Sequence, residues 1–451
     1  MDRYSQLTKF GLFDTNAPRY TSYPTVPIFQ PKVGSENTVA WMAAISPGSE
    51  VSLYVHVPFC RRLCWFCACR TQGTTNDTPL KSYVKTLIAE LALWKQHLPQ
   101  GLALSRLHWG GGTPTILTPD QIIALSNAIF ALLPMARDGI FSVEIDPNEI
   151  DEARITALAR AGMNRASIGV QDFDPKIQAS IGRLQSFDAT AQVIANLRKV
   201  GIGSINSDIL FGLPLQTTQS LSTSVAQLLS LRPDRVALYG YAHVPWMSRR
   251  QQLIRTEDIP APHERLSLFE TGATMFAAQG YTPIGIDHFA LPADSLAKAA
   301  QNSTLKRNFQ GYTDDPAEVL LGLGASSIAR FPQGYAQNHT RTSDYAAAIA
   351  AGQLAAGKGH VFQDQDRMRA RLIESLMCNF DIDVNQIAHD FNMNPDDLTQ
   401  FIDQNLGDFK AALKTKLGHI TVPPEMRAAT RMIAHRFDAY RQGSARHSAA
   451  I

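Results

Sequence analysis

The stretch SLYVHVPFCRRLCWFCAC, residues 52–69, joins a strand-forming run to a close group of cysteines. Residues 52–57 are rich in β-branched and aromatic side chains, which favour a β-strand. The cysteines that follow have the spacing Cys60-x3-Cys64-x2-Cys67-x-Cys69. The sequence therefore predicts a strand that delivers four thiols to the loop at its carboxyl end.

Cysteine usage excludes a disulfide scaffold, because five cysteines cannot cross-link a chain of 451 residues. The fifth, Cys378, lies in an apolar helical run, and we expect it in the core. A structural zinc site usually takes its ligands as two pairs separated by a longer loop, which is missing here. A short segment can instead supply three thiolates to a cubane iron–sulfur cluster. The spacing favours a cluster with one open iron, and zinc and redox thiols remain the alternatives.

Short apolar runs and longer amphipathic runs alternate after the first strand. The predicted strands are residues 52–57, 106–109, 141–145, 166–170, 205–210 and 236–241. The predicted helices are residues 80–98, 119–133, 152–161, 188–200, 217–229 and 263–279. This alternation is typical of parallel strands with right-handed crossovers. We therefore predict an α/β fold, a partial (β/α)6 TIM-like barrel.

The carboxyl ends of the predicted strands are polar. They carry the cysteine group, the turn 110–114, Glu144, the pair Gln171 and Asp172, Asp208, and the segment 241–243. Because the carboxyl ends of parallel strands meet on one face of a barrel, these groups predict a functional site there.

Two segments flank the barrel, which we assign to residues 51–359. Residues 1–50 contain several prolines that break long helices, and we expect an N-terminal arm covering the site. Residues 360–451 are expected to form a helical, winged-helix-like lobe that covers the substrate. Its predicted helices are residues 367–378, 384–391, 395–405, 409–416 and 424–441, with a ribbon at 418–422. The tail after Gln442 is expected to be disordered.

Composition excludes several classes of protein. Hydrophobic residues make up 45% of the chain and the net charge is +2, which argues against disorder and against a polyanion-binding surface. Residues 361–451 hold 11 Lys and Arg against 12 Asp and Glu, so the lobe lacks the charge of a DNA-binding unit. The sequence has no run of about 18 apolar residues and no secretory leader, so we expect a cytoplasmic protein with neither a membrane nor a nucleic-acid partner.

The cysteine spacing after the first strand, with a glycine triplet after the second, resembles the radical S-adenosylmethionine (SAM) superfamily. The resemblance implies that Cys60, Cys64 and Cys67 hold a [4Fe–4S] cluster whose open iron binds SAM. An electron from the cluster then cleaves SAM to a 5′-deoxyadenosyl radical. Placement, charge balance and exclusion of water are the protein's contributions.

A closer resemblance is to the oxygen-independent coproporphyrinogen III oxidases (dehydrogenases), and it extends from about residue 17 to residue 440. It is carried by Cys69 and by three peptides, PRYTSYPT (18–25), GIDHFA (285–290) and RNFQGYT (307–313). The resemblance implies decarboxylation of two propionates of coproporphyrinogen III to vinyl groups, giving protoporphyrinogen IX for haem synthesis. It also implies two SAM molecules per chain and an electron donor and acceptor that the sequence does not identify. Monomer is the expected state.

Matching the chain to the family assigns site residues one by one. SAM contacts are implied at Tyr54, Phe66, Gly111, Gly112, Thr113, Glu144, Ala242 and Ile328. Contacts to the second SAM are implied at Gln171, Arg183 and Asp208. Cys69 matches an additional cysteine that is not a cluster ligand in the family. Ala68 departs from the pattern, since the family usually has glycine there.

Residue chemistry alone is less specific. The glycines suit a tight strand–helix turn as well as a close approach to a ligand. Asp208 is harder to explain as structure, because a carboxylate in an apolar run needs partners or a role. Four substrate carboxylates require cations. Arg19, Arg249, Arg250 and His288 are candidates, although their spacing alone does not show whether they converge.

Three other functions compete with this interpretation. A coproporphyrinogen-oxidase-like haem chaperone shares the cluster and SAM motifs, but such proteins generally lack the fourth cysteine and the long N-terminal segment. A redox-sensing, DNA-binding regulator is disfavoured by the charge balance of the terminal lobe. A structural zinc protein is the third.

Overall fold

The computed structural model describes residues 3–363, 365–441 and 447–451. Its strands are β1 (Glu50–Val57), β2 (Phe59–Cys60), β3 (Gln72–Gly73), β4 (Ala103–Gly111), β5 (Met135–Ile145), β6 (Arg165–Gln171), β7 (Ser204–Phe211), β8 (Arg235–Gly240), β9 (Thr282–Ile284), β10 (His288–Ala290), β11 (Lys306–Asn308), β12 (Gly311–Thr313), β13 (Leu320–Leu323), β14 (Ile328–Phe331), β15 (Gly334–Asn338), β16 (Ala356–Val361), β17 (Asp381–Asp383), β18 (Lys414–Lys416) and β19 (His419–Thr421).

The α-helices are α1 (Arg3–Lys9), α2 (Ser35–Ala43), α3 (Thr78–Trp94), α4 (Pro119–Leu132), α5 (Glu152–Arg160), α6 (Pro175–Ser180), α7 (Phe187–Lys199), α8 (Thr218–Ser230), α9 (Pro262–Ala278), α10 (Ser295–Gln301), α11 (Thr342–Ala350), α12 (Asp366–Asn379), α13 (Val384–Asp390), α14 (Pro395–Leu406) and α15 (Thr430–His435). Short 3₁₀ segments lie at Val26–Ile28, Pro114–Ile116, Arg249–Leu253, Thr256–Asp258, Gly407–Ala412 and Pro424–Ala429. No helix in the described part of the chain is long and apolar enough to cross a membrane.

The predicted barrel strands are neighbours in one sheet. Its central order is β1-β4-β5-β6-β7-β8, and each adjacent pair is parallel. The helices that connect them begin at local capping residues. For example, Thr118 caps α4 by accepting from the backbone N–H of Gln121 at 3.3 Å, and Pro119 occupies the first turn. The partial (β/α)6 barrel predicted from the sequence is confirmed.

Successive side chains of these strands alternate between the two faces of the sheet, and the two faces differ in polarity. On β5, Phe141, Val143 and Ile145 are buried in an apolar cluster shared with the surrounding helices. Glu144, between two of them, bonds instead to His108 of the neighbouring strand. One face of the sheet therefore forms the core, and the other presents polar side chains to the barrel interior.

The sheet extends beyond the predicted strands on both sides. On one side β13 pairs parallel with β1, and β14, β15 and β16 follow in antiparallel order. On the other side the hairpin β9–β10 pairs with β8. Runs of only three to six residues form these strands, too short to show a clear period in the sequence.

A second apolar core joins the two ends of the chain. Leu7, Leu12 and Tyr20 pack with α12–α15, whose buried residues include Leu376 and Ile433. The first part of the N-terminal segment therefore packs on the C-terminal helices, whereas Trp41 and Met42 of α2 pack in the barrel core.

Two helices predicted in the C-terminal region are wrong in extent. Residues 409–416 are not one helix: a 3₁₀ segment ends at Ala412, and β18 pairs with β19. Leu417 and Gly418 have φ of +53° and +81°, which suits the tight turn of a hairpin. The helix predicted over 424–441 is α-helical only in α15, and further on the Asp438 carboxylate accepts the backbone N–H of Tyr440 at 2.8 Å. Such side-chain-to-backbone bonds compete with helix continuation.

The prediction of a disordered tail after Gln442 is wrong for its last residues. Residues 443–446 of that tail lie outside the described residues. Residues 447–451 are packed: Ala449 forms a β-bridge with Asn16, and Ala450 is 4% exposed.

Candidate functional site

The cysteine loop is held at its start by the turn that follows β4. The backbone N–H of Gly112 donates to the carbonyl of Val57 at 2.8 Å, and that of Thr113 donates to the carbonyl of Phe59 at 2.9 Å. A methyl group added at Gly112 would lie 2.6 Å from the Phe59 oxygen and 3.0 Å from Cys60 Sγ. Gly112 is therefore required by a close approach of two backbone segments beside the first cysteine.

The middle of the loop docks on the turn that follows α6. The backbone N–H of Trp65 donates to Ile181 at 2.9 Å, and the Trp65 ring lies against Gly182, where a Cβ would be 2.8 Å from it. Arg183 follows directly and approaches Cys64 Sγ through Nη1 at 3.5 Å. The left-handed backbone of Gly182, at φ +66°, thus brings a cation next to the second cysteine.

The end of the loop is fixed by the segment after β8. Ser248 Oγ donates to the carbonyl of Cys67 at 2.9 Å. Gln251 Nε2 donates to the carbonyl of Phe66 at 2.7 Å and to that of Ala242 at 3.0 Å. The single amide of Gln251, 1% exposed, therefore joins Phe66 and Ala242, two of the residues that the sequence assigns to SAM.

Ionisation differs between the thiols. The hydrogen bond from the Cys69 thiol lowers the pKa of Cys67 to about 6, with help from Arg250 and Arg183, and it raises the pKa of Cys69. Burial raises the pKa of Cys60 to about 11, against a hydrogen bond from Thr113. Cys67 is therefore the more acidic thiol of the Cys67–Cys69 pair.

The residues present fit an iron–sulfur cluster. No three His, Cys, Asp or Glu side chains in residues 3–363, 365–441 and 447–451 converge on a single-ion site. A [4Fe–4S] cluster differs from a single ion because each thiolate binds its own iron. The donor set is Cys60, Cys64 and Cys67 on one pinned loop, with Arg183 and Arg250 beside it to offset negative charge.

Tyr54 and Glu144 meet in the barrel interior around His108. The Tyr54 and His108 rings stack with centroids 5.8 Å apart, and His108 Nε2 lies 3.2 Å from Glu144 Oε1. Glu144 Oε2 accepts the backbone N–H of Gly111 at 3.1 Å. Burial opposes ionisation of Glu144, but the bonds from His108 and Gly111 lower its pKa overall. Gly111 has φ +111° and a Cβ there would meet His56, so only glycine fits this corner.

The three residues assigned to the second SAM lie beside the next two strands: Gln171 ends β6, Asp208 lies on β7, and Arg183 follows α6. Gln171 has φ +70°, an unusual conformation for a non-glycine residue. Its amide nitrogen and Arg183 Nη2 approach the same point above Gly169, at 3.0 and 3.2 Å from a Cβ built there. Arg183 also pairs with Asp146 at 3.1 Å.

Asp208 is bonded to Asn206 Nδ2 at 2.9 Å. Burial raises the pKa of Asp208 to about 6, and the nearby charge of Glu144 adds to the effect. A proton on this carboxyl is therefore in balance near neutral pH, which suits a group that hydrogen-bonds a polar ligand.

Ile328 starts β14, two strands from Tyr54. Gly322 of β13 pairs with Tyr54, and a Cβ on Gly322 would lie 2.8 Å from the Ile328 carbonyl carbon. The assigned residues on strands thus follow one arc, from Ile328 through Tyr54 and Glu144 to Asp208. Outside these strands lie Phe66, Arg183 and Ala242.

Several residues in this arc were missed by sequence reasoning. His56 and His108 both point into the interior, and Gln251 and Ser248 hold the cysteine loop. The alternation of polar residues within the predicted first two strands, Tyr54 and His56 on one and His108 on the next, was the signal available for the histidines.

The four side chains predicted to bind substrate carboxylates do not all lie in one place. Arg250 donates to the carbonyl of Cys69 at 3.3 Å, beside the cysteine loop. Arg249 begins the adjacent 3₁₀ segment Arg249–Leu253. Arg19 and His288 lie together in a different place, lining a cavity at the edge of the barrel.

Comparison with known proteins agrees with this geometry. Residues 54–227 match the family model of the radical SAM superfamily. The chain is 53% identical over 451 residues to the oxygen-independent coproporphyrinogen III oxidase of Paracoccus denitrificans, covering 100% of both chains. It is 51% identical over 440 residues to the corresponding protein of Cereibacter sphaeroides, covering 98% of both.

One solved structure matches nearly the whole fold. It is coproporphyrinogen III oxidase from Escherichia coli, described as a radical SAM enzyme, with a TM-score of 0.89 and 33% identity. The match covers 94% of this chain and 97% of that one.

Proposed function

This chain belongs to the oxygen-independent coproporphyrinogen III oxidases of the radical SAM superfamily, and we propose that it decarboxylates two propionates of coproporphyrinogen III to vinyl groups. The product is protoporphyrinogen IX, an intermediate of haem synthesis. One observation carries the proposal: the relationship to enzymes of this name spans the whole chain, including the loop of Cys60, Cys64 and Cys67. The family membership favours this enzyme over a haem chaperone or a DNA-binding regulator.

The proposed cofactors are a [4Fe–4S] cluster and SAM. Cys60, Cys64 and Cys67 would hold the cluster, which supplies the electron that cleaves SAM when both are bound. The loop is pinned at both ends by main-chain and side-chain bonds, so its thiols are positioned before the cofactor arrives. Arg183 and Arg250 lie where they would balance cluster charge.

Two SAM molecules are proposed per chain. The first would contact Tyr54, Phe66, Gly111, Gly112, Thr113, Glu144, Ala242 and Ile328. The second would contact Gln171, Arg183 and Asp208. Support for this division comes from the sheet order: Tyr54 and Gly111 lie on the neighbouring strands β1 and β4, whereas Gln171 and Asp208 lie on β6 and β7. Ala242 follows β8, and the amide of Gln251 joins it to Phe66 of the cysteine loop.

The remaining assignments are also proposals. The barrel would comprise residues 51–359, with an arm over residues 1–50 and a substrate-covering lobe over residues 360–451. Packing of Tyr20 and Leu12 on the C-terminal helices supports joint action of arm and lobe in covering the site. We further propose a cytoplasmic monomer that takes electrons from a separate donor and passes them to a separate acceptor.

An anaerobic turnover assay tests the function. The protein, reconstituted with iron and sulfide, is mixed with SAM, a reductant, a one-electron acceptor and coproporphyrinogen III. Two equivalents of carbon dioxide per substrate, with 5′-deoxyadenosine, are expected because two propionates react. SAM cleavage without carbon dioxide would refute the substrate but keep the superfamily chemistry. Bound zinc in place of iron and sulfide would refute both.

A further inference from the structure

A cavity of about 400 Å³ lies where α9, the hairpin β9–β10, the N-terminal segment and the C-terminal helices meet. This volume is in the range of small-molecule sites. Four phenylalanines form much of its apolar lining, namely Phe211, Phe269, Phe289 and Phe380. Its cations are arginines, namely Arg3, Arg19, Arg265, Arg307, Arg427 and Arg431. The cavity therefore combines an apolar wall with a strong excess of positive charge.

Protein carboxylates in the part of the chain that the structure describes neutralise only part of the positive charge, because Arg3 alone of the six arginines is paired with a glutamate, Glu270. Asp287 is the only Asp or Glu side chain among the described residues that line the cavity, and its Oδ1 lies 2.6 Å from His288 Nδ1. Burying several guanidinium groups against one carboxylate is costly unless an anion enters. The charge pattern thus indicates an anionic ligand.

Two of these arginines have unused donors. Arg265 is 7% exposed and donates through Nη2 to the carbonyl of Tyr241, but its Nε has no acceptor among the residues that the structure describes. Arg307 likewise lacks acceptors for Nε and Nη1 in the described part of the chain. Its guanidinium carbon lies 4.4 Å from the centroid of the Tyr312 ring, which fixes its position. A buried donor without an acceptor costs free energy. A hydrogen bond to a ligand carboxylate would recover that cost.

The guanidinium of Arg431 differs from these two, because its donors are already hydrogen-bonded to main-chain carbonyls. It donates to the carbonyls of Ala17, Pro18, Ala449 and Ala450, and so ties the two chain ends together. Burial lowers the pKa of Arg265 to about 10 and that of Arg431 to about 9, and the charge of Arg19 adds to both shifts. Arg307 behaves differently: burial opposes its charged form, but Tyr312 and Asp287 raise its pKa overall.

The cavity is connected to the proposed SAM site by one strand end. Three consecutive backbone carbonyls at the end of β8 each accept a side-chain hydrogen bond. Arg19 donates to the carbonyl of Gly240. Arg265 donates to that of Tyr241, and Gln251 donates to that of Ala242. The same Gln251 holds Phe66 of the cysteine loop. A ligand held by the arginines would therefore lie next to the segment that positions the cofactor loop.

We propose that this cavity receives carboxylate side chains of the substrate, with Arg265 and Arg307 donating hydrogen bonds to them and the phenylalanine wall contacting the macrocycle. The inference rests on the proposed function, which supplies a substrate with four propionates on an apolar ring. It assigns the arginines to binding and not to proton or electron transfer.

Variants of Arg307 test the assignment in the reconstituted holoenzyme. Arg307→Gln should raise the KM for coproporphyrinogen III roughly 10- to 100-fold, as expected for the loss of a charge-assisted bond. Arg307→Lys keeps the charge and should restore part of the loss. Arg255→Gln is the matched control, since the Arg255 side chain is 70% exposed, and its KM should equal that of the wild type. A KM for Arg307→Gln within twofold of the control would overturn the proposal.

A ligand comparison tests the same point without mutation. Fluorescence titration of the wild-type holoenzyme with coproporphyrin III, the stable oxidised ring, is compared with its uncharged tetraamide. The tetraamide should bind at least tenfold more weakly, and equal binding would overturn the carboxylate assignment even if Arg307→Gln fails to fold. Absence of carbon dioxide release by the wild type would instead refute the proposed function, so the two failures are distinguishable.

Discussion

Replacing Gly112 with alanine is expected to disable the cysteine loop while leaving the barrel folded. The new Cβ would lie 2.6 Å from the carbonyl oxygen of Phe59 and 2.9 Å from the carbonyl carbon of Pro58. Both are main-chain atoms in the segment that leads into Cys60. A flexible side chain could turn away, but this backbone is held by β1 and by the Thr113 hydrogen bond, so it must shift as a unit.

The size of the shift follows from these distances. Ordinary contact of a Cβ begins at about 3.4 Å, so the Phe59 oxygen must retreat by about 0.8 Å, the difference between 3.4 and 2.6 Å. The Thr113 N–H to Phe59 bond, now 2.9 Å, would lengthen beyond hydrogen-bonding range if the turn stayed in place. Misplacement of reacting groups by about 1 Å costs roughly 100-fold in rate. Local strain would also lower the free energy of unfolding by about 1–3 kcal/mol.

The assay compares Gly112→Ala with Gly203→Ala, where a Cβ would have no atom within 4 Å. Iron content, visible absorbance and the rate of 5′-deoxyadenosine formation are measured under anaerobic conditions. We expect Gly203→Ala to match the wild type and Gly112→Ala to form the nucleoside about 100-fold more slowly. The reasoning would be refuted by a Gly112→Ala protein with full iron content and a rate within threefold of the control.

Three further outcomes are expected. Cys60→Ala should abolish the visible absorbance of the reconstituted cluster and Cys69→Ala should retain it; loss in both would show that the ligands are misassigned. Burial raises the pKa of Glu90 from 4.5 to about 7, so its contribution to stability is greatest below pH 4.5 and falls by about 3 kcal/mol as pH rises to 7. Urea unfolding of Glu90→Gln should therefore show a flatter pH dependence than the wild type, and an unchanged slope would contradict the shift. Phe141→Ala removes a fully buried ring and should lower the free energy of unfolding by about 3–5 kcal/mol, whereas Leu417→Ala, 84% exposed, should leave it nearly unchanged; equal losses would contradict this packing.

Local patterns were sufficient for much of the barrel. Residues 205–210 and 166–170 are short apolar runs bounded by polar or glycine residues, and they became β7 and β6 almost unchanged. Helix α4 begins at Pro119, the first residue of the helix predicted over 119–133. In each case the information lies within a few consecutive residues, as strand and capping preferences require.

Prediction was weaker where a structure depends on distant partners. β13 to β16 are short strands whose pairing with β1 and with one another supplies the stability, so their own residues carry little signal. The helix predicted over 409–416 gave way to a strand because His419–Thr421 offered it a partner across a tight turn.

The sequence by itself determined the cysteine loop, the order of the parallel strands and the polar residues at their ends. These features follow from spacing along the chain, which a sequence displays directly. Only the tertiary structure decided which of these polar groups meet. It separated Arg250, beside the cysteine loop, from Arg19 and His288, and it brought Arg265 and Arg307 from distant segments into the same cavity. Convergence of charges depends on how helices and loops pack across the sheet, and that packing is set by contacts between residues far apart in the sequence.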